Sequence, residues 1–140
     1  MKKLLCAFMS VLLIVTLLMP SLCFAAEEEP FEPHIDIDEY SLTNTITATL
    51  GISGGKATVG GRVSAQSTST HCQMTVQLQK KVNGVWTLAH SWVTSGKTSV
   101  SLKKTISVDK GSYRTCVIAT LTNGSSTEHP VKYSGTVTAR

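Results

Sequence analysis

Acidic residues nearly vanish from the chain after Tyr40: between Ser41 and Arg140 there are two, Asp109 and Glu128, against eleven Lys and Arg. This scarcity removes the carboxylate pairs on which many hydrolytic sites depend. Both survivors sit beside turns, and Asp109, just before Lys110-Gly111, reads as a turn former. No Ser stands in a Gly-x-Ser-x-Gly elbow. His71, His90 and His129 are scattered, and His90 reads as a packed or rim residue on the face of Leu88 and Trp92. Aromatic residues make up 6% of the chain, too few for a base-stacking platform, so specific nucleic-acid binding is not expected. A non-enzymatic protein without a cofactor follows from these absences.

What is present divides into three compositions. Residues 1–25 combine Lys2-Lys3, an apolar run from Leu4 to Met19 and a small-residue exit, the pattern of a cleaved bacterial signal peptide. The run is shorter than the roughly 20 residues of a membrane span, and no later stretch matches it, so the mature chain is expected to be secreted without a membrane span. Residues 26–40 hold seven acids and no base, an acidic arm of charge −7, and residues 41–140 form a basic body of charge +9. About 100 residues make one domain.

Of four cysteines, Cys6 and Cys23 leave with the leader, while Cys72 and Cys116 remain. An even number in an oxidising compartment predicts one disulfide bond, which on the chain-entropy view stabilises a fold by roughly 4 kcal/mol for a loop of this length. Free or metal-binding thiols are the alternative, although a pair with no companion His or Cys at short spacing does not make a zinc site.

From residue 41 the hydrophobic pattern alternates with period two. Leu42, Ile46, Ala48, Leu50 and Ile52 are interleaved with threonines, and Ala57, Val59, Gly61, Val63 and Ala65 form the next inward face. Runs follow at Cys72 to Leu78, Trp86 to Trp92, Val100 to Val108, Tyr113 to Leu121 and Val131 to Val137, and 18 Thr with 14 Ser after residue 25 suit pleated strand faces. Seven strands with turn signals between them predict an all-β, antiparallel sandwich of immunoglobulin-like or fibronectin type III-like form. A three-residue loop at Val82-Asn83-Gly84, pairing Lys81 with Val85, Leu78 with Leu88 and Met74 with Trp92, would bring all the apolar positions to one side, and is preferred over a two-residue turn. Tyr113 resembles a tyrosine corner, three residues before the cysteine rather than two, and a half-buried strand Tyr is the plain alternative. Cys116 has the opposite parity to Tyr113 and Val117, so the disulfide could clamp a strand face or edge instead of crossing the core.

The segments Ile52-Ser53-Gly54-Gly55-Lys56-Ala57, Val76 to Lys81 with Gly84-Val85-Trp86 and Ser91-Trp92, and Gly111-Ser112-Tyr113-Arg114 are similar to small secreted proteins of Gram-positive, clostridia-like bacteria. Those proteins are largely uncharacterised. The resemblance implies export and a sandwich fold, and it carries over no catalytic residue.

Two constellations remain. In an extended chain His34, Asp36 and Asp38 share one face, where they could ligate calcium or zinc, and an acidic spacer explains the same pattern. Lys80-Lys81 and Lys103-Lys104 are the dibasic pairs of the basic body, candidates for binding a polyanion or for protecting strand edges. The expected function is a secreted binding module for an anionic cell-wall or host glycan, or a protein partner. A structural or colonisation-related module with no defined ligand is the alternative. An exposed aromatic beside a basic patch would favour the first, and an evenly polar surface the second.

Overall fold

Strict alternation of apolar side chains with Thr, Ser and Lys leaves the chain one way to bury its hydrophobic half, and from residue 43 onward it forms strands. The computed structural model describes residues 40–140. The leader, the acidic arm up to Glu39 and the His34, Asp36 and Asp38 set lie outside these residues. Nine strands appear: β1 (Thr43–Ser53), β2 (Lys56–Ala65), β3 (His71–Val82), β4 (Val85–Lys97), β5 (Ser99–Ser107), β6 (Gly111–Asn123), β7 (Ser126–Glu128), β8 (Val131–Tyr133) and β9 (Val137–Ala139). All pairings are antiparallel, in one sheet of order β1-β2-β5 and a second of order β4-β3-β6, with β7, β8 and β9 sharing the far edge of β6. The two sheets face each other as an all-β sandwich.

The expected seven strands become nine because the last run, Val131 to Val137, is divided into β8 and β9 and the short β7 forms ahead of it. β7, β8 and β9 lie opposite Leu121–Asn123, Cys116–Ile118 and Gly111–Tyr113 in turn. Pro130 cannot donate to a ladder, but its carbonyl accepts from Ala119 N at 2.9 Å. Ser134 Oγ takes the place of a backbone carbonyl, accepting from Thr115 N at 2.8 Å. The edge of β6 therefore stays satisfied across both breaks.

Ala57, Val59, Val63 and Ala65 of β2 meet Cys72, Met74, Val76 and Leu78 of β3 and Val117, Ala119 and Leu121 of β6 in the core, all buried. Gly61 sits among them for a steric reason. A Cβ there would stand 2.8 Å from Cγ2 of both Val76 and Val117, so the missing side chain sets how closely the sheets approach. At the crossing from β5 to β6, Tyr113 is buried and its hydroxyl donates to the Asp109 carbonyl at 2.9 Å, the tyrosine-corner bond. At the crossing from β4 to β5, Thr98 takes φ 65°, a costly left-handed conformation for a β-branched residue. Three hydrogen bonds to the β2–β3 connection and the end of β2 hold it there: Thr98 N to Thr70 O, Ala65 N to Thr98 O and Thr98 Oγ1 to Thr68 O.

Two expectations are corrected. The Asn83-Gly84 turn is the two-residue form, with φ 50° and 80° and with Val82 opposite Val85. The faces are reconciled by a bulge at Ala89, where Leu78 pairs with His90 but Gln79 pairs with Leu88. Beyond the bulge, His90 and Trp92 face inward and stack at 5.7 Å, while Trp86 and Leu88 face outward. His90 therefore does not share a face with Leu88.

The disulfide is the second correction. Cys72 and Cys116 are both free and buried. The β3–β6 register sets Cys72 opposite Leu121 and Cys116 opposite Gln77. Five strand positions, about 17 Å, separate them, and a disulfide needs Cα atoms within about 7 Å. They also occupy opposite faces of the sheet, Cys72 in the core and Cys116 outside it.

Glu128, at the end of β7, fastens the start of β1 to the second sheet. Its Oε1 accepts from Ser41 N at 2.7 Å and Leu42 N at 2.8 Å, and its Oε2 accepts from Thr43 N and Thr43 Oγ1, both at 3.1 Å. Burial pushes this carboxyl up, but the hydrogen bonds from Leu42, Ser41 and Thr43 outweigh that effect and leave it below the ordinary Glu value.

Two stability measurements check this architecture. Gly61→Ala should cost about 1–3 kcal/mol in urea unfolding, because neither valine can retreat without disturbing the core. Glu128→Gln should destabilise at neutral pH by about 1–3 kcal/mol, since it weakens bonds to the buried Thr43. A carboxyl held low stabilises fully above its unfolded pKa, so the gap between wild type and Glu128→Gln should be constant above about pH 5 and shrink as pH falls below about 4.

Candidate functional site

The outer face of the second sheet gathers side chains that the bulge and the β6 parity direct away from the core. Across neighbouring strands, Trp86 lies opposite Lys81, Arg114 opposite Gln79, and Cys116 between Gln77 and Tyr133. The Arg114 guanidinium carbon stands 4.4 Å from the Trp86 ring centroid and 4.2 Å from that of Tyr133, so the cation is sandwiched between two aromatic faces. Lys81 Nζ adds a second charge 5.7 Å from the Trp86 centroid. Each contact follows from the negative face of an aromatic quadrupole. Arg114 Nε donates to Gln79 Oε1 at 2.9 Å, and Gln79 Nε2 donates to Gln77 Oε1 at 3.1 Å, which fixes the plane and tilt of the guanidinium. On the same face of β4, Leu88 lies opposite Gln79 and Val93 opposite Thr75, 55% and 60% exposed.

Cys116 lies beneath this cluster and is 2% exposed. Burial pushes its thiol up, partly countered by a hydrogen bond with Tyr133 and the charge of Arg114. Burial also raises the Cys72 thiol. The thiolate is the reactive form, so both side chains are suited to packing more than to chemistry.

The two dibasic pairs are divided between the sheets. Lys81 joins the aromatic cluster. Lys80 has inward parity, and its stem lies against Gly111, with Nζ 5.6 Å from the Tyr113 ring centroid over the tyrosine corner. Lys103 and Lys104 stand on β5 opposite Gly60 and Val59, both exposed, on the other sheet. Sequence reasoning passed over Arg114, Trp86 and Tyr133. The available signals were the outward parity of Arg114 and the Asn-Gly dipeptide, whose two-residue turn sends Trp86 outward.

An end cleft of about 560 Å³ brings Gly54, Gly55, Asp109, Lys110, Thr138 and Arg140 together. Charges of both signs line it, so it suits a polyanion less well than the outer face does. Among the described residues no three His, Cys, Asp or Glu side chains are grouped to hold a metal, and no helix is long and apolar enough to cross a membrane.

No protein-family model matches the chain, and no curated protein is similar to it. A crystal structure of a protein from Archaeoglobus fulgidus is similar at 13% identity, covering 70% of this chain and 98% of its own, with a TM-score of 0.38.

Tyr133 acts as the cover of Cys116, and thiol labelling tests this. In Tyr133→Ala one thiol should react with a disulfide reagent at least about tenfold faster than in wild type, while Cys72 stays protected until global unfolding. Equal protection of both thiols in the variant would remove that role from Tyr133.

Proposed function

We propose that this protein is a secreted, non-enzymatic binding module that uses the outer face of its second sheet to hold an anionic extracellular polymer, such as an acidic cell-wall or host glycan, or an acidic protein segment. The observation that carries this reading is the Trp86–Arg114–Tyr133 stack with Lys81 beside it, an aromatic surface and a fixed positive charge on one exposed sheet. Flat rings offer contact area at low entropic cost, the glutamine amides offer hydrogen bonds, and the cations draw a polyanion from solution. The carboxylates of Asp109 and Glu128 belong to the β5–β6 corner and to β7, so the net field of residues 41–140 is strongly positive.

We also assign the sandwich to the immunoglobulin-like or fibronectin type III-like type. The order β1-β2-β5 against β4-β3-β6 with a broken last strand, and the Tyr113 hydroxyl bonded back to Asp109, support that assignment. The first sheet gives the alternative reading its support. Its outer face spreads Thr45, Thr47, Thr49, Thr58, Ser101 and Thr105 among the single cations Arg62 and Lys103, the evenly polar surface of a structural module.

Retention on immobilised heparin and on polyglutamate, eluted with salt, tests the reading. Lys81→Gln and Trp86→Leu should elute at lower salt than wild type, and Trp86→Leu should lose retention that one charge cannot explain. Lys103→Gln, on the opposite sheet, controls for net charge. If all three variants elute together, attraction is general to the basic body and the outer face is not the site.

A further inference from the structure

The edges of a sheet expose unpaired backbone N–H and C=O groups, and proteins blunt them with charge, proline or broken strands. Three of the four edges here are protected. β5 carries Lys103 and Lys104, the second at an inward-parity position yet exposed. The β7, β8 and β9 row is interrupted at Pro130 and again at residues 134–136. β1 is bulged between Thr43 and Thr45, fastened to Glu128, and lies against β8 and β9.

Apart from its bulge at Ala89, β4 has none of these defences. From Val85 to Gly96 it contains no Lys, Arg, Asp, Glu or Pro, and among the described residues no strand pairs with its outer edge. Among the described residues the large exposed hydrophobic ones, Val82, Val85, Leu88 and Val93, all belong to the β3–β4 hairpin. A long, neutral, partly apolar edge strand is a template for another strand.

We propose that the occupant is a second copy of this chain, with two β4 strands paired antiparallel about a twofold axis normal to the sheet. In such an interface residue i meets residue j of the partner and j meets i, and in a body with eleven bases and two acids the charges that met along an edge would be like in sign. In a body of charge +9, β4 is a strand along which that repulsion is absent over twelve consecutive positions. The bulge at Ala89 divides the strand, and the regular stretch His90–Gly96 has Val93 at its middle. With the axis at Val93, that outward side chain contacts its own counterpart, and Trp92 and Thr94 pair on the inner side. Burying two exposed valines and completing the edge ladder both favour the pair. A twofold normal to the sheet keeps both outer faces on the same side. The dimer then displays two Trp86–Arg114 clusters on one continuous sheet, although the pairing itself does not depend on what they bind.

Sedimentation equilibrium of the purified protein should show a reversible monomer–dimer equilibrium. Val93→Lys, which sets two ammonium groups face to face at an exposed position, should weaken it at least about tenfold, and Val93→Thr should retain it. Far-ultraviolet circular dichroism confirms that both variants are folded. Val93→Cys, mildly oxidised, should form a symmetric intermolecular disulfide much faster than Val85→Cys, which lies away from the axis. A wild type that stays monomeric up to about 1 mM overturns the proposal. So does a dimer indifferent to Val93→Lys, which would place the interface elsewhere, and so does equal cross-linking at positions 85 and 93.

Discussion

The division of side chains between core and surface depends on one extra residue in β4. Strand side chains alternate without exception until a bulge intervenes, and Ala89 is that bulge. On its far side His90 and Trp92 turn to the inner face, where Trp92 packs against the core and the exposed His90 stacks on it. On its near side Trp86 and Leu88 turn outward and supply the aromatic half of the cation cluster. Were Ala89 held in the ladder instead of bulged out, a two-residue turn at Asn83-Gly84 would put both tryptophans on one side, and either the core or the outer face would lose its aromatic. The tight turn and the bulge are thus a coupled pair: the turn sets the register at one end of the hairpin, and the bulge resets it before the core is reached.

Much of the fold was legible because it rests on period-two alternation, which sequence displays directly. The inward faces of β2 and β3 match the residues read as apolar, from Ala57 to Ala65 and from Cys72 to Leu78. Tyr113 could be placed near a sheet crossing, and its bond to Asp109 settles which of its two readings holds. Reasoning failed where a discontinuity enters. Apolar coincidence favoured a three-residue loop at Val82, because a bulge leaves no compositional mark and the simplest unbroken register wins by default. The cysteine pairing came from counting, and counting carries no information about register: positions 72 and 116 fall on neighbouring strands but at different heights and on opposite faces.

The site was less legible than the fold for a related reason. Dibasic pairs stand out in a sequence, whereas Trp86, Arg114 and Tyr133 are far apart along the chain and meet only through the β4-β3-β6-β8 order. Lone charges become significant when stacking and an amide bond fix them. Lys81 belongs to the cluster while its neighbour Lys80 covers the tyrosine corner, so adjacency in sequence separated two roles on a strand whose faces alternate.

The carboxylate of Glu128 reaches residues 85 to 87 positions earlier in the chain. A tie of this span has a kinetic meaning. Chains grow from their N-terminus, so β1 must wait, without its fastening, until nearly the whole domain has emerged, and the row on the far edge of β6 arrives later still. Such non-local pairing carries a loop-closure cost before any contact rewards it and makes for slow folding.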